Sequence, residues 1–148
     1  MMLAAPVRIS RALPRLVRCA AADPRLFARA LGWRLALPVL KRLVAVRTLG
    51  RWMDRRHGVV PARTDARRVA SVERLLRDGG RLVISANCYE RSLLLYRFLS
   101  EAGSGASLVF GMRRDAGVLA GHAWIEMDGR VLADATASAY EPVVRFGP

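Results

Sequence analysis

The spacing of the apolar residues changes after about residue 81, and this change most limits the folds open to the chain. From about Pro24 to Arg56, apolar residues recur mostly every three or four positions, which is typical of helices that bury one face. After residue 81, one more helical segment is followed by short strand-like stretches and an Asp128-Gly129 turn. The sequence therefore predicts an α+β fold with its helices first and its strands last.

Helix boundaries in the first part are predicted from proline, glycine and capping residues. Pro38 is expected to break or kink the helical run, and Gly58 to Pro61 is expected to form a loop. A third helix is predicted from Thr64 to about Asp78, with Thr64 accepting a hydrogen bond from its first turn. Gly79-Gly80 is expected to end that helix.

Positive charge is concentrated in the same first part of the chain. The 148 residues, 53% of them hydrophobic, are enough for one domain, and they include 25 basic and 12 acidic side chains. Residues 1–81 hold 19 of the basic and 5 of the acidic residues, whereas residues 82–148 hold 6 and 7. A basic surface favours acidic partners, among them nucleic acid, anionic lipid and acidic peptides, without choosing between them.

Cysteine usage and hydropathy exclude several classes of protein. Cys19 and Cys88 stand 69 positions apart without a CxxC pair, which argues against a disulfide scaffold and against a zinc site. The longest early apolar run, Leu35 to Leu40, contains Pro38 and is far too short to span a bilayer. Arginines throughout the first 20 residues leave no apolar core for a secretory signal. We therefore expect a cytoplasmic protein without a transmembrane segment.

The segment Asn87-Cys88-Tyr89-Glu90 has the pattern of a helix start. Asn is a favoured capping residue, and Glu three positions later completes a reciprocal capping arrangement. Cys88 is then the first residue of a helix that should stop near Gly103. Free N–H groups and the positive end of the helix dipole stabilise a thiolate there, and they can also bind an oxyanion.

A strand and a hairpin are predicted after this helix. The strand covers Ala106 to Met112, a flexible loop covers Arg113 to Gly121, and the hairpin pairs residues 122–127 with 130–134. A two-residue Asp128-Gly129 turn would put residues 122 and 134 on opposite faces. A three-residue loop would pair residue 126 with 130 and residue 122 with 134. We favour the three-residue loop because it gives one uniformly apolar face.

That register places His122 opposite Asp134 and suggests a catalytic set with Cys88. In such a set the cysteine is the nucleophile, the histidine transfers the proton, and the carboxylate orients the imidazole. Each residue also has a simpler reading, because cysteine is often a small buried apolar residue, a strand histidine is often structural, and aspartate often caps a turn. The remaining candidates, Cys19 and His57, are interpreted as structural or incidental.

Several motifs together resemble those of the lasso peptide biosynthesis B2 proteins, which are transglutaminase-like cysteine proteases. The resemblance covers residues 82–136 and implies a transglutaminase-like (papain-like) core over 82–148, preceded by a basic helical region over 1–81. It also implies catalytic roles for Cys88, His122 and Asp134. Arg91 and Ser92 match the motif as well, and we expect them to serve helix packing and local hydrogen bonding. No metal or organic cofactor is implied. The motifs are Cys88-Tyr89-Glu90-Arg91-Ser92-Leu93, Gly111, His122-Ala123-Trp124-Ile125-Glu126, Asp128-Gly129 and Asp134.

The resemblance also implies a substrate and partners. Such an enzyme removes the leader peptide from a ribosomally synthesised precursor, and a separate macrolactam synthetase then closes the core peptide. Because residues 1–81 are predicted to be helical, we expect a separate leader-binding protein of the B1 type to dock on them, and we expect no nucleic-acid partner. Two alternatives remain: a transglutaminase-like acyl transferase that crosslinks chains, and a catalytically inactive basic binding protein.

Overall fold

The fold is α+β, as predicted, with five helices preceding a four-stranded antiparallel sheet in the part of the chain that is described. The computed structural model describes residues 9–54, 66–83, 87–132 and 134–148, excluding the side chains of 9–13, 15, 19 and 77–83. The elements are α1 (Ile9–Ala22), α2 (Pro24–Leu43), α3 (Val46–Met53), α4 (Ala66–Val83), α5 (Cys88–Glu101), β1 (Ser107–Asp115), β2 (Val118–Met127), β3 (Arg130–Leu132), a short 3₁₀ helix (Ala137–Ala139) and β4 (Glu141–Phe146).

The structure shows neither a break at Pro38 nor the helix end predicted at Gly79-Gly80. Helix α2 does not end at Pro38 but runs to Leu43, and its inward residue Leu37 is buried beside the proline. Helix α4 continues through Gly79-Gly80 to Val83. An interior proline costs about 3 kcal/mol and a glycine about 1 kcal/mol of helix stability, and burial of apolar side chains can offset both. The predicted loop at 58–61 and the Thr64 cap lie outside the described residues.

Strands β1 and β2 form one long hairpin, with β3 and β4 at the two edges of the sheet. The strand order is β3-β2-β1-β4. The flexible loop predicted over 113–121 is wrong, because the strands continue to Asp115 and resume at Val118. Ala116 and Gly117 connect them with φ of 46° and 85°. A two-residue turn with two positive φ angles follows the twist of the strands, so pairing extends to the turn.

The second hairpin also has a two-residue turn, and the register favoured from the sequence is wrong. Met127 pairs with Arg130, and Ile125 pairs with Leu132. Asp128 and Gly129 have φ of 52° and 73°. Aspartate tolerates this left-handed conformation better than most residues, and glycine adopts it freely. The local turn chemistry therefore prevails over the uniform apolar face that favoured a three-residue loop.

The main apolar core joins elements from both sides of residue 81. Helix α5 lies at its centre, because it contacts α2, α3 and α4 on one side and β1 and β2 on the other. A core of this kind fixes the position of the α5 N-terminus relative to the sheet. Its buried members include Ala30, Leu37, Leu49, Met53, Val72, Leu75, Leu93, Leu94, Tyr96, Leu99, Leu108 and Ile125.

Gly111 of β1 lies where the sheet leaves no room for a side chain. A Cβ atom there would be 2.6 Å from the Trp124 ring and 2.8 Å from the Glu141 carbonyl oxygen. We expect Gly111→Ala to lower the free energy of unfolding by about 1–3 kcal/mol, because the ring and strand β4 must both shift. Urea denaturation of this variant and of Gly105→Ala, whose Cβ meets nothing within 4 Å, measures the effect. Equal midpoints for the two variants would contradict the expected crowding.

Candidate active site

Cys88 is the first residue of helix α5, as predicted. The Asn87 side chain caps the helix, because its Oδ1 accepts hydrogen bonds from the backbone N–H groups of Tyr89 at 3.0 Å and Glu90 at 3.4 Å. Among the described residues, no acceptor binds the N–H of Cys88 itself. Cys88 is partly exposed and is a free cysteine. Its thiol and its N–H therefore lie together at the positive end of a 14-residue helix dipole.

A cavity of about 310 Å³ connects the helix start to the sheet. Cys88 and His122 both line it, so the two residues border the same space. Apart from these two residues its wall is almost wholly apolar or glycine. Burial raises the pKa of the Tyr89 phenol, which therefore adds no charge to the wall at neutral pH. The other lining residues are Val46, Tyr89, Phe110, Gly111, Met112, Gly121, Ala123, Val143 and Val144.

His122 and Asp134 meet although the hairpin register differs from the favoured one. His122 Nε2 lies 2.8 Å from Asp134 Oδ2. Strand β3 ends at Leu132, so Asp134 lies beyond the paired segment and the alternation of strand faces no longer applies to it. Because Nε2 faces the carboxylate, Nδ1 is the ring nitrogen left for exchange of a proton with a group in the cavity.

Asp134 is held by donors on both of its oxygens. Arg91 donates to Oδ2 at 2.8 Å, the same oxygen that faces His122. Thr136 donates to Oδ1 twice, from its backbone N–H at 3.0 Å and from its hydroxyl at 2.7 Å. Burial of the Asp134 carboxyl raises its pKa, but the hydrogen bonds from Thr136 and His122 outweigh burial and hold this pKa below its ordinary value. The carboxylate is therefore ionised at neutral pH and fixed in place.

The lowered pKa of Asp134 predicts a pH-dependent contribution to stability. A carboxyl group with a depressed pKa in the folded state stabilises the fold above its unfolded pKa and loses this effect as the pH falls through the folded pKa. We expect the stability of wild type relative to Asp134→Asn to be greatest near neutral pH and to decline below about pH 4. Urea denaturation at a series of pH values measures this difference, and a constant difference would contradict the prediction.

Two aromatic rings lie close to the His122 imidazole and nearly parallel to it. The Tyr140 ring lies 4.8 Å from it at an interplanar angle of 25°, and the Trp124 ring lies at 6.1 Å and 23°. Trp124 is itself fixed, because its Nε1 donates to Glu126, which also accepts from Arg145. Thr136 and Tyr140 were missed in the sequence, since neither belongs to a recognisable motif. The aromatic contacts limit rotation of the imidazole.

Arg91 and Ser92 form hydrogen bonds to residues outside helix α5, beyond the local role expected for them. Ser92 lies one turn after Cys88, and its hydroxyl donates to the Ala123 carbonyl, 2.9 Å away on β2. Arg91 binds Asp134, as described above. One turn of helix α5 is therefore bonded to the strand that carries His122 and to the carboxylate that faces it. The Cys-x-x-Arg-Ser spacing links the thiol to both groups.

Ionic contacts of Glu90 connect the start of helix α5 to helix α2. Its buried carboxylate accepts a hydrogen bond from Lys41 Nζ, and Arg34 NH1 lies 3.6 Å away. A buried carboxylate needs such cationic partners to remain ionised. The basic helical region thus supplies the charges that anchor the residues next to Cys88.

The structure does not bring the other sequence candidates to this site. The Cys19 side chain and the whole of His57 lie outside the described residues. Within those residues, no group of three or more histidine, cysteine and acidic side chains is placed to hold a metal ion. No helix in the described part of the chain combines the length and apolar character needed to cross a bilayer.

Comparison with known proteins gives one family. The model of the transglutaminase-like superfamily matches residues 24–145, which is most of the chain and includes residues on both sides of position 81. No curated protein and no solved structure matches this chain.

Proposed function

The chain belongs to the transglutaminase-like superfamily, and on this premise we propose that it cleaves a peptide bond through a Cys88 thioester. In the proposed reaction the Cys88 thiolate attacks the carbonyl carbon of the bond, and the resulting oxyanion accepts a hydrogen bond from the Cys88 N–H. His122 gives its proton to the departing amine as the C–N bond breaks. A thioester and a free amine result.

Water then completes the reaction. His122 takes a proton from the water as its oxygen attacks the thioester carbonyl, and the C–S bond breaks to give a carboxylic acid and the thiolate. Asp134 does not exchange a proton in either step. It holds the imidazole with Nε2 toward itself and stabilises the imidazolium that forms.

One observation carries the proposal: Cys88 and His122 line the same largely apolar cavity, and His122 Nε2 lies 2.8 Å from the Asp134 carboxylate, which Arg91 and Thr136 hold in place. An apolar wall strengthens the electrostatic interactions inside the cavity and disfavours binding of charged small molecules there. The open cavity is wide enough for a peptide side chain.

The substrate we propose is the precursor of a lasso peptide. The motif set around Cys88, Arg91-Ser92 and His122 supports this choice, since it resembles that of the B2 leader peptidases. The released amine of the core peptide would then be free for a macrolactam synthetase. We propose a cytoplasmic reaction, with residues 1–81 as the basic region and residues 82–148 as the catalytic core.

Cleavage of a candidate precursor in water enriched in ¹⁸O tests the reaction. Hydrolysis through a thioester predicts two fragments whose masses add up to the precursor plus one water, with ¹⁸O in the new carboxylate. Crosslinked chains joined with loss of ammonia, and no fragments, would show acyl transfer to an amine instead. An intact precursor under all conditions would contradict both.

We also propose that a separate leader-binding protein presents the precursor and docks on the basic helical region. The described part of residues 1–81 is helical and offers no strand for pairing with a peptide. Cleavage rates measured with and without that partner test this step. Equal rates would show that the chain recognises its substrate alone.

A further inference from the structure

Four large apolar residues on helix α2 face solvent in a row. Leu31, Leu35, Val39 and Leu43 recur every four residues and are 37%, 77%, 55% and 76% exposed; we call this row the α2 stripe. The opposite side of the helix is buried through Ala30 and Leu37. A helix that is apolar on both sides is normally covered on both sides. The outward side of α2 therefore has the character of a binding surface.

The α2 stripe leads toward the cavity that holds the thiol. Residues 31–43 span about 18 Å along the helix. Three residues after Leu43, Val46 opens helix α3, and it is both exposed and part of the cavity wall with Cys88. Val143 of β4 is likewise exposed and lines the cavity. Exposed apolar residues thus continue along the chain from the middle of α2 to Val46, a residue of the cavity wall.

Helices α2 and α3 are rich in positive charge. Residues 24–53 contain seven basic side chains and no acidic one. Three of the seven, Arg29, Arg34 and Lys41, pair with Glu101 or Glu90 of helix α5. The remaining four form no ion pair with any described carboxylate and are exposed: Arg25, Arg42, Arg47 and Arg51.

We propose that the α2 stripe and Val46 bind an acidic, apolar segment of the peptide substrate and direct the adjoining bond into the cavity, which leaves α1 and α4 of the basic helical region for the leader-binding protein. This inference rests on the proposed function, since it assigns a recognition surface to the same substrate. Apolar side chains of the segment cover the leucines, and its carboxylates face the four arginines. A second copy of the chain would bring another +13 charge to the surface, and a nucleic acid would leave the leucines uncovered.

Binding of a defined peptide to the Cys88→Ala chain tests the proposal. The probe is a fluorescent amphipathic peptide of leucine and glutamate, compared with its leucine–lysine counterpart and with a scrambled peptide of the same composition. We expect the acidic amphipathic peptide to bind at least about 10-fold more tightly than either comparison peptide. We expect Leu35→Glu/Val39→Glu to remove this preference, and the matched control Val118→Glu, at a 70% exposed valine on the β1–β2 hairpin, to keep it.

A second pair of variants, which reverse charges, keeps the test valid if Leu35→Glu/Val39→Glu does not fold. Arg42→Glu/Arg47→Glu is expected to weaken binding of the acidic peptide at least about 10-fold, whereas Arg130→Glu on β3 is expected to leave it unchanged. Equal binding of all peptides, or equal binding by these two charge variants, would overturn the proposal. So would a surface that binds vesicles of phosphatidylglycerol and phosphatidylcholine through Leu35 and Val39 but not the acidic peptide.

A kinetic arm separates this inference from the proposed function. In the wild-type chain, the acidic peptide is expected to raise KM for a candidate precursor without changing kcat, and this effect is expected to vanish in Leu35→Glu/Val39→Glu. Selective binding of the acidic peptide without any cleavage of the precursor would support the binding surface and overturn the peptidase function. Cleavage with the same KM in wild type and in Leu35→Glu/Val39→Glu, unaffected by the acidic peptide, would support the peptidase function and overturn the binding surface.

Discussion

Cys88→Ala is expected to lower the rate of precursor cleavage by about 10⁴-fold or more, because the variant cannot form the thioester through which the reaction proceeds. The substitution removes a partly exposed sulfur at the helix start and leaves the Asn87 cap intact. Its effect on folding should therefore be small, and circular dichroism with thermal unfolding checks this. Fragment masses over time measure the loss of activity.

The other cysteine of the chain provides the matched control. Cys19→Ala removes the same chemical group from the basic helical region and is expected to retain the wild-type rate. A folded Cys88→Ala chain that still cleaves the precursor would show that another group attacks the bond. Loss of activity in Cys19→Ala with retained folding would also contradict the assignment of Cys88 as the sole nucleophile.

Asp134→Asn is expected to lower kcat by about 10²–10⁴-fold with little change in KM, by analogy with loss of the orienting carboxylate in other catalytic triads. An amide cannot accept hydrogen bonds at both positions, so either Thr136 or the Arg91 and His122 pair loses its acceptor. If the amide N–H₂ faces His122, the ring must accept at Nε2 and carry its proton on Nδ1. That tautomer cannot take a proton from a group in the cavity.

Asp115→Asn is the control for this loss of charge. Asp115 is an exposed carboxylate near the β1–β2 turn that pairs with Arg113 and is not among the groups bonded to His122. We expect this variant to keep the wild-type kcat. Steady-state kinetics of the two variants separate an orienting role from a general effect of charge. A large rise in KM with unchanged kcat in Asp134→Asn would mean that Asp134 acts in substrate binding.

The helix that carries the thiol could be predicted from the sequence because its ends depend on local chemistry. Asn87 caps the first turn through its own side chain, and the chain leaves the helix near Gly103, whose φ is 69°. Each of these features involves residues only a few positions apart. The same local chemistry does not break α2 at Pro38 or end α4 at Gly79-Gly80, because burial against distant residues offsets the cost of these residues.

The hairpin shows the same division between local and distant effects. The sequence predicts the Asp128-Gly129 turn, but the uniform apolar face favours a three-residue loop, whereas the geometry of the turn itself decides for two residues. The approach of Asp134 to His122 does not follow from strand pairing at all. It depends on where the chain turns after Leu132, and that path is held by Arg91 from another element.

The sequence alone determined that the helices precede the strands and that Cys88 lies at a helix start, because hydrophobic period and capping act over a few residues. It predicts neither helix α1 nor strand β4. Tertiary structure decided the surroundings of the imidazole, including Thr136, Tyr140 and the Ser92 bond to β2. Those contacts join residues far apart in the chain. They form only when the packed core fixes helix α5 against the sheet.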